Sequence, residues 1–140
     1  MQIPIKRLVP QAVIPTYAHD TDAGLDLYAS ETVTIQPMQR ALVPSGIALA
    51  IPKGYVGLIW DKSGLAVKHG LTAIAGVIDA GYRGDIQVAM YNTTQTAYVV
   101  EAGKKIAQLL IQPIVRAQLE ETKELPDAAR GDNGFGSTGL

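Results

Sequence analysis

Large apolar side chains alternate with small or polar ones over short stretches of the chain. The alternation is regular at 32–35, 47–51 and 86–91, where every second residue is a large apolar one. Because successive side chains of a strand point to opposite faces, a period of two predicts half-buried β-strands. The 14 glycines and 8 prolines separate these stretches at short intervals. Many short strands joined by Gly/Pro turns predict an all-β sandwich, jelly roll or barrel.

One stretch breaks this alternation and predicts a helix. It runs from Ser63 to His69 and is followed by Gly70. Serine is common at the N-cap of a helix, and glycine is common directly after the last helical residue. We therefore predict one short helix here, with Ser63 as its N-cap.

The C-terminal part of the chain changes character. Residues 106–119 continue the strand pattern, but after Pro126 the chain is rich in glycine and small polar residues, with Phe135 as its only aromatic residue. A segment with so little apolar surface does not fold alone. The 140 residues, without internal repeat or linker, therefore predict one domain at 1–126 followed by a flexible C-terminal arm at 127–140.

Composition narrows the class of protein. Hydrophobic residues make up 47% of the chain and charged residues 18%, as in globular proteins. Twelve basic against 13 acidic residues leave no broad basic face, which argues against nucleic acid as a partner. The absence of cysteine excludes disulfides, zinc–thiolate sites and cysteine nucleophiles. No stretch resembles a signal peptide or approaches the roughly 18 apolar residues of a membrane span, so we expect a soluble cytoplasmic protein.

The clearest candidate for catalysis is an aspartate that follows an apolar stretch. Two apolar stretches flank a turn at Gly81, which predicts a β-hairpin. Asp79 follows Val77 and Ile78, and a carboxylate at the inner end of an apolar strand needs a partner or a use. Two interpretations stay open: a general base for water, or a turn aspartate that binds its own backbone, which is the commoner arrangement. Tyr82 is equally open between core packing and a binding platform.

Candidate phosphate ligands lie outside this hairpin. Lys62, Ser63 and Gly64 stand where a strand meets the predicted helix, and N–H groups at a helix start beside a lysine suit an anion. The alternative is an ordinary capped helix with an exposed lysine. Gln108 lies in an apolar run and needs either backbone or ligand partners. Arg130 suits phosphate, although a disordered terminus is the commoner arrangement for such a tail.

A cation site is also a candidate. Asp20, Asp22 and Asp26 supply the oxygen ligands that Mg²⁺ prefers, while the alternative is an acidic turn before a strand. With only His19 and His69 in the chain, a histidine-built metal site is not expected.

Five stretches, taken in order, carry a specific resemblance. They are Ala-Gly-Leu-Asp-Leu-Tyr-Ala at 23–29, Ser-Gly-Leu-Ala at 63–66, Gly-Val-Ile-Asp-Ala-Gly-Tyr-Arg-Gly at 76–84, Gly-Lys-Lys-Ile-Ala-Gln at 103–108 and Gly-Phe-Gly-Ser-Thr-Gly at 134–139. Each is weak alone, but their order and spacing closely resemble the five motifs of the trimeric dUTPase family over nearly the whole chain.

The resemblance implies both a fold and a reaction. The fold is all-β, a distorted jelly-roll β-barrel with one short helix and a flexible C-terminal arm. The assembly is a homotrimer with three active sites at subunit interfaces. The reaction is the Mg²⁺-dependent hydrolysis of dUTP to dUMP and pyrophosphate, which limits uracil incorporation into DNA and supplies dUMP for thymidylate synthesis.

The resemblance also implies a role for each motif. Asp79 would activate the water that attacks the α-phosphate, and Asp26 would steady Mg²⁺ through its water shell. Tyr82 would stack on deoxyribose and exclude a ribose hydroxyl, the backbone of 73–87 would read uracil, and the arm would close over the site. The substrate-binding residues implied in this way are Lys62, Ser63, Gly64, Ala73, Val77, Ile78, Tyr82, Gln87, Gln108, Arg130, Phe135, Gly136 and Ser137.

Four positions depart from the family pattern. Lys62 replaces the usual arginine, which removes bidentate phosphate contact and leaves a point charge. Asp61 replaces a proline and is expected to add negative charge near the phosphate cradle. Ala73 replaces an asparagine that touches the base, and Asn133 replaces a glycine of the arm.

Two other functions compete with this interpretation. A dCTP deaminase has the same fold but uses a glutamate base, and the chain has no glutamate between Glu31 and Glu101. A non-catalytic jelly-roll binding module would leave Asp79, Tyr82 and the tail without a common purpose.

Overall fold

The computed structural model describes residues 1–132, which form eleven short strands and one helix, α1 (Ser63–His69). The predicted all-β class with a single short helix is confirmed. The strands are β1 (Ile5–Arg7), β2 (Leu25–Tyr28), β3 (Val33–Ile35), β4 (Arg40–Pro44), β5 (Ile47–Leu49), β6 (Tyr55–Asp61), β7 (Leu71–Ile74), β8 (Val77–Ile78), β9 (Gln87–Asn92), β10 (Tyr98–Val100) and β11 (Lys105–Pro113).

The strands pair into small antiparallel sheets. The largest has the order β2-β11-β6-β8, the next has the order β4-β9-β7, and β1-β5 and β3-β10 form two-stranded pairs. Few strands pair with their neighbours in the chain, so the chain crosses from sheet to sheet in the manner of a jelly roll. As a consequence β11 lies between β2 and β6 and brings these distant segments of the chain together.

The inward faces of the sheets enclose one apolar core. Strand β9 shows the predicted alternation, because Val88 and Met90 are buried while Gln87 is exposed. In β5 the alternation fails, since all three residues are buried. The largest fully buried side chains are Leu27, Ile35, Ile47, Ile51, Leu71, Ile86, Met90, Ile106 and Leu109.

The predicted hairpin around Gly81 is wrong. Strand β8 pairs with β6 and strand β9 pairs with β4 and β7, so the segment between them, residues 79–86, connects two different sheets. We call this segment the β8–β9 loop. Gly46 N donates to Oδ1 of Asp85 at 2.8 Å, and Ile86 N donates to Ile47 O at 2.9 Å. These bonds tie the end of the loop to the turn between β4 and β5 and keep β9 apart from β8.

The helix prediction is confirmed at one end and corrected at the other. Gly70 adopts a left-handed φ of 61° and its N–H bonds to Ala66 O, which ends α1 as expected. The N-cap is Lys62 in an extended conformation, without a side-chain cap bond, and Ser63 is the first helical residue. The Lys62 carbonyl instead accepts the N–H groups of Leu65 and Ala66.

The chain leaves the β structure earlier than the strand pattern of 106–119 indicated. Strand β11 ends at Pro113, and residues 114–132 form no strand or helix. Ile114 N still donates to Gly54 O at 2.9 Å, but no residue from 115 to 132 pairs with a strand. Within residues 1–132 no helix has the length and apolar character needed to cross a membrane.

Candidate active site

A buried aspartate lies between two cations. Asp26, in β2, is only 4% exposed. Its Oδ1 lies 2.5 Å from Nζ of Lys62, at the start of α1, and its Oδ2 lies 2.6 Å from Nζ of Lys105, at the start of β11. Oδ2 accepts no well-aligned hydrogen bond from residues 1–132, so its contact with Lys105 is an ion pair. We call Asp26, Lys62 and Lys105 the Asp26 cluster.

The charges of this cluster reinforce one another. Burial raises the pKa of Asp26, but the ammonium groups of Lys105 and Lys62 lower it more, so the pKa lies below its ordinary value of 3.8. The same carboxylate raises the pKa of Lys105 above its ordinary 10.5. Two ammonium groups against one carboxylate leave a net charge of +1 beside the start of α1.

Sheet register places Gln108 next to this cluster. Gln108 lies opposite Asp26 on one side of β11 and opposite Trp60 on the other. Its Nε2 donates to the backbone oxygen of Asp61 at 2.9 Å. The backbone of Asp61 therefore supplies the hydrogen-bond partner that Gln108 needs in an apolar run. This bond holds the Gln108 amide at the edge of the cluster.

The start of α1 completes a surface that suits an anion. Ser63 and Gly64 are exposed, and the first N–H groups of any helix have no acceptor within the helix. Apart from its chain neighbours and the backbone of α1, no atom of residues 1–132 lies within 4 Å of where a Cβ on Gly64 would be, so this face is open. Exposed N–H groups beside a net positive charge favour phosphate. Lys62, predicted to bind phosphate, contacts Asp26 at this surface.

A second group of predicted residues lines a cavity at the β8–β9 loop. The cavity has a volume of about 190 Å³. It brings together five residues that the sequence singled out, with Asp85 as a sixth. The lining residues are Val77, Ile78, Asp79, Tyr82, Asp85 and Gln87.

Asp79 is the exposed carboxylate of this cavity. Strand β8 ends at Ile78, so Asp79 lies in the loop and not at the inner end of a buried strand. Its backbone oxygen accepts the N–H of Tyr82 at 3.0 Å, which closes the turn. Its carboxylate makes no hydrogen bond or ion pair with the part of the chain that the structure describes. The turn is therefore held by the backbone of Asp79, and the side chain is left facing the cavity.

Tyr82 forms a wall of the same cavity. Its side chain is 45% exposed, so the core-packing interpretation is wrong. Its hydroxyl donates to the backbone oxygen of Asp85 at 3.0 Å. Gly84 leaves room for the ring, because a Cβ at that position would lie 2.5 Å from the tyrosine oxygen.

Asp61 does not lie free beside the phosphate cradle as expected. Its Oδ1 accepts the N–H of Ala73 at 2.5 Å, and its Oδ2 accepts the hydroxyl of Thr72 at 2.9 Å. Ala73 lines a different cavity, of about 380 Å³, that also contains Asp61, Thr72 and Val77. Ala73 therefore does not line the loop cavity, but the two cavities are neighbours, because Val77 lines both.

The predicted residues of the arm are only partly described. Arg130 is exposed in a turn that Gly131 N closes on Ala128 O at 3.0 Å. The remaining arm predictions, Asn133, Phe135, Gly136 and Ser137, lie outside the described residues.

Sequence reasoning missed two residues of the site. Lys105 had no assigned role, although it lies in the fourth quoted motif, and Asp85 was not named although it directly follows the third. The only sequence signal for either residue was its position, Lys105 within a quoted motif and Asp85 directly after one. The contacts themselves depend on the pairing of β11 with β2 and on the turn between β4 and β5.

The Asp26 cluster, whose net positive charge suits phosphate, lies on one part of this β fold. The Asp79 carboxylate, unbound within residues 1–132, lies at a small cavity on another part. Phosphate binding together with a free proton acceptor defines the class of a phosphohydrolase. None of the six residues that line the loop cavity belongs to the Asp26 cluster.

Comparison with known proteins identifies the family. The model of the dUTPase family matches residues 10–139. A deoxyuridine 5'-triphosphate nucleotidohydrolase of Clostridium kluyveri is 45% identical over 99% of each chain, and one of Thermobifida fusca is 49% identical over 99% of this chain and 79% of its own. A dUTPase of Staphylococcus bacteriophage 80alpha, a G164S mutant with dUpNHpp, has a TM-score of 0.94 and 32% identity over 99% of each chain. The chain belongs to the dUTPase family, and membership makes it a hydrolase of dUTP that yields dUMP.

Proposed function

We propose that the chain cleaves dUTP between the α- and β-phosphates by attack of a water molecule that Asp79 activates. The observation that carries this proposal is the exposed carboxylate of Asp79, which faces the loop cavity and is bound by nothing within residues 1–132. A carboxylate without a partner is available to accept a proton from water as the oxygen attacks phosphorus. The products are dUMP and pyrophosphate.

The loop cavity would hold the nucleoside. Val77 and Ile78 give it an apolar wall, Tyr82 gives it an aromatic one, and Gln87 lies at its far edge. A ring packed against C2′ of the sugar leaves no room for a ribose hydroxyl. Ala73, from the neighbouring cavity, would approach the base where other members carry an asparagine.

The Asp26 cluster would hold the phosphates. Its net positive charge adjoins the start of α1 at Ser63 and Gly64 through Lys62, and Gln108 lies opposite Asp26 in the sheet. Lys62 takes part as a point charge already oriented by Asp26, so phosphate would share its ammonium with that carboxylate.

Magnesium fits this site only as an ion that arrives with the nucleotide. Within residues 1–132 no group of three acidic or histidine side chains is placed to hold a metal. Mg²⁺ characteristically keeps several waters and binds through one or two carboxylates plus substrate phosphates. Asp26 is the candidate carboxylate and would act through the water shell of the ion, although both its oxygens lie against ammonium groups in this structure. A bound Mg²⁺ would neutralise charge on the phosphates.

We also propose a homotrimer in which one chain's Asp26 cluster faces another chain's loop cavity. The separation of the two groups within one chain supports this assembly, since neither forms a complete site alone. Large apolar side chains on the surface support it too: Val115, Leu119 and Leu125 are 94%, 93% and 86% exposed. All three lie after β11, in a segment without strand or helix within residues 1–132, where they are available to contact a neighbouring chain.

The arm at 127–140 would close over the bound nucleotide, with the domain at 1–126 as its base. Arg130 would bind the terminal phosphates, Phe135 would stack on the base, and Gly136 and Ser137 would contact the ligand. Closure would exclude water and align the triphosphate for in-line attack. A cytoplasmic location is part of the proposal, because removal of dUTP there limits uracil in DNA and supplies dUMP.

A panel of dUTP, dTTP, dCTP and UTP with identification of the products tests the reaction. We expect pyrophosphate and dUMP from dUTP, with far slower turnover of the other three. Release of orthophosphate, comparable turnover of dTTP, or ammonia from dCTP would each contradict the proposal. Light scattering tests the assembly, and a fully active monomer would contradict the shared site.

A further inference from the structure

The chain crosses between sheets directly before the loop that carries Asp79. Strand β7 belongs to the β4-β9-β7 sheet and β8 pairs with β6 in the other sheet, so the crossing takes only Ala75 and Gly76. Ala75 has a φ of 57°, a left-handed conformation that side chains other than glycine rarely adopt. Some interaction must therefore hold the crossing against relaxation of Ala75.

Part of that interaction is a close backbone contact. Ile59 N, in β6, donates to Gly76 O at 2.8 Å. A Cβ on Gly76 would lie 2.5 Å from the carbonyl oxygen of Ile59, so no side chain fits there. This contact holds the far side of the crossing.

Asp61 holds the near side. Strand β7 is an edge strand that pairs only with β9, and the N–H of Ala73 is bonded to Oδ1 of Asp61. The hydroxyl of Thr72 is bonded to Oδ2 of the same carboxylate. Because Asp61 is the last residue of β6, its side chain joins the two sheets immediately before the crossing.

We propose that Asp61 is a positioning residue that holds the crossing at Ala75 and thereby sets the direction in which β8 presents Asp79 to the loop cavity. The inference rests on the proposed role of Asp79. It assigns a purpose to a residue that departs from the usual proline of the family. An effect of Asp61 on turnover has two candidate origins. One is its pair of hydrogen bonds to β7, and the other is its negative charge directly before Lys62, a proposed phosphate ligand.

Replacement by alanine and by asparagine separates hydrogen bonding from charge. The Oδ1 of an asparagine accepts the N–H of Ala73, and its Nδ2 donates to the hydroxyl of Thr72, which accepts as well as donates. Asp61→Asn therefore keeps both bonds and removes only the charge. Misplacement of a reacting group by about 1 Å costs up to about 100-fold in rate, so we expect Asp61→Ala to lower kcat on dUTP by about 10-fold or more. KM should change much less, and Asp61→Asn should retain most of kcat.

A second replacement tests the strain at Ala75. Glycine adopts a positive φ without steric penalty, so with Ala75→Gly the crossing no longer depends on the Asp61 contact. The double variant Asp61→Ala with Ala75→Gly should recover most of the kcat that Asp61→Ala loses. Ala75→Gly alone is the reference for that cycle, and Glu31→Ala, which removes an exposed carboxylate between β2 and β3, is the control for loss of charge.

All variants are assayed with Mg²⁺ at a temperature well below the Tm of each. The proposal is overturned if Asp61→Asn loses as much kcat as Asp61→Ala, if Ala75→Gly restores nothing, or if Asp61→Ala lowers only Tm. Wild type and Asp79→Asn are measured alongside. Full turnover by Asp79→Asn would refute the role of Asp79 itself, and absence of wild-type turnover would refute the reaction, so these failures are distinct from that of Asp61.

Discussion

Asp26 and Asp79 carry the same side chain in opposite surroundings. Asp26 is 4% exposed between two ammonium groups, which lower its pKa and keep it ionised. Asp79 is exposed at the rim of a cavity, and its carboxylate binds nothing else within residues 1–132. A carboxylate held by two cations is a poor proton acceptor, whereas an unbound one beside a cavity is accessible to water. In the function that we propose, the contacts of each aspartate, and not its chemistry alone, assign it to binding or to catalysis.

The sharpest test of this comparison is Asp79→Asn. Asparagine has nearly the same shape but does not accept the proton, and loss of a general base typically lowers kcat by about 10²–10⁴-fold. Because the carboxylate makes no contact within residues 1–132, Tm should stay close to wild type. Steady-state turnover of dUTP and thermal unfolding measure the two effects. Near-normal turnover would reduce Asp79 to a turn residue.

Truncation after Ala129 tests whether the arm contributes to catalysis at Asp79. Within residues 1–132 the β structure ends at Pro113, well before the truncation, so fold and oligomeric mass should be unchanged. Loss of closure should lower kcat at saturating dUTP by about 10²-fold, and Phe135→Ala should reproduce much of that loss. Full activity of a truncated protein of correct mass would remove the arm from the mechanism.

In contrast to Asp79→Asn, which should leave Tm close to wild type, Asp26→Asn should lower the stability of the fold. It leaves Lys62 and Lys105 without their counter-charge, and loss of a charged hydrogen bond at a buried group lowers the free energy of unfolding by about 1–3 kcal/mol. Denaturant titration at pH 7 measures this change. A free energy of unfolding equal to that of wild type would mean that the cluster does not stabilise the fold.

The pH dependence of stability, compared between wild type and Asp26→Asn, gives an independent check. The folded pKa of Asp26 lies below 3.8, so its contribution is present above that pH and is lost as pH falls through the folded value. The folded pKa of Lys105 lies above 10.5, so its contribution is present below 10.5 and is lost only at higher pH. The gap in stability between wild type and Asp26→Asn should therefore be constant from about pH 5 to 8 and shrink below 3.8. A gap that persists in acid would contradict the ion-pair origin.

Tyr82→Ala is expected to have the smallest effect, on selectivity more than on rate. Removal of the ring opens the wall of the loop cavity, so the preference for dUTP over UTP in kcat/KM should fall by about 10-fold, the scale of one steric contact. Tyr82→Phe is the matched control, since it keeps the ring and loses only the bond to Asp85. An unchanged preference in Tyr82→Ala would remove the ring from sugar selection.

Local signals in the sequence predicted much of the fold and part of the site. Period-two alternation predicted β9, and Gly70 predicted the end of α1, because side-chain direction and left-handed backbone are properties of a few adjacent residues. The order of five motifs indicated the family and placed Asp79 and Tyr82 in one segment, and the two side chains do line one cavity. These features needed no knowledge of which strands pair.

Only the tertiary structure decided the partners of Asp26 and Asp61. Asp26 meets Lys62 and Lys105 because β11 lies between β2 and β6, and β6 runs into α1, an order that no local pattern encodes. The hairpin expected at Gly81 is absent because bonds from the turn between β4 and β5 draw β9 into another sheet. Asp61, expected to repel phosphate, binds β7 instead. Alternation and turn residues act over a few positions, whereas strand order and register come from pairing between distant segments, and register decides which charges meet.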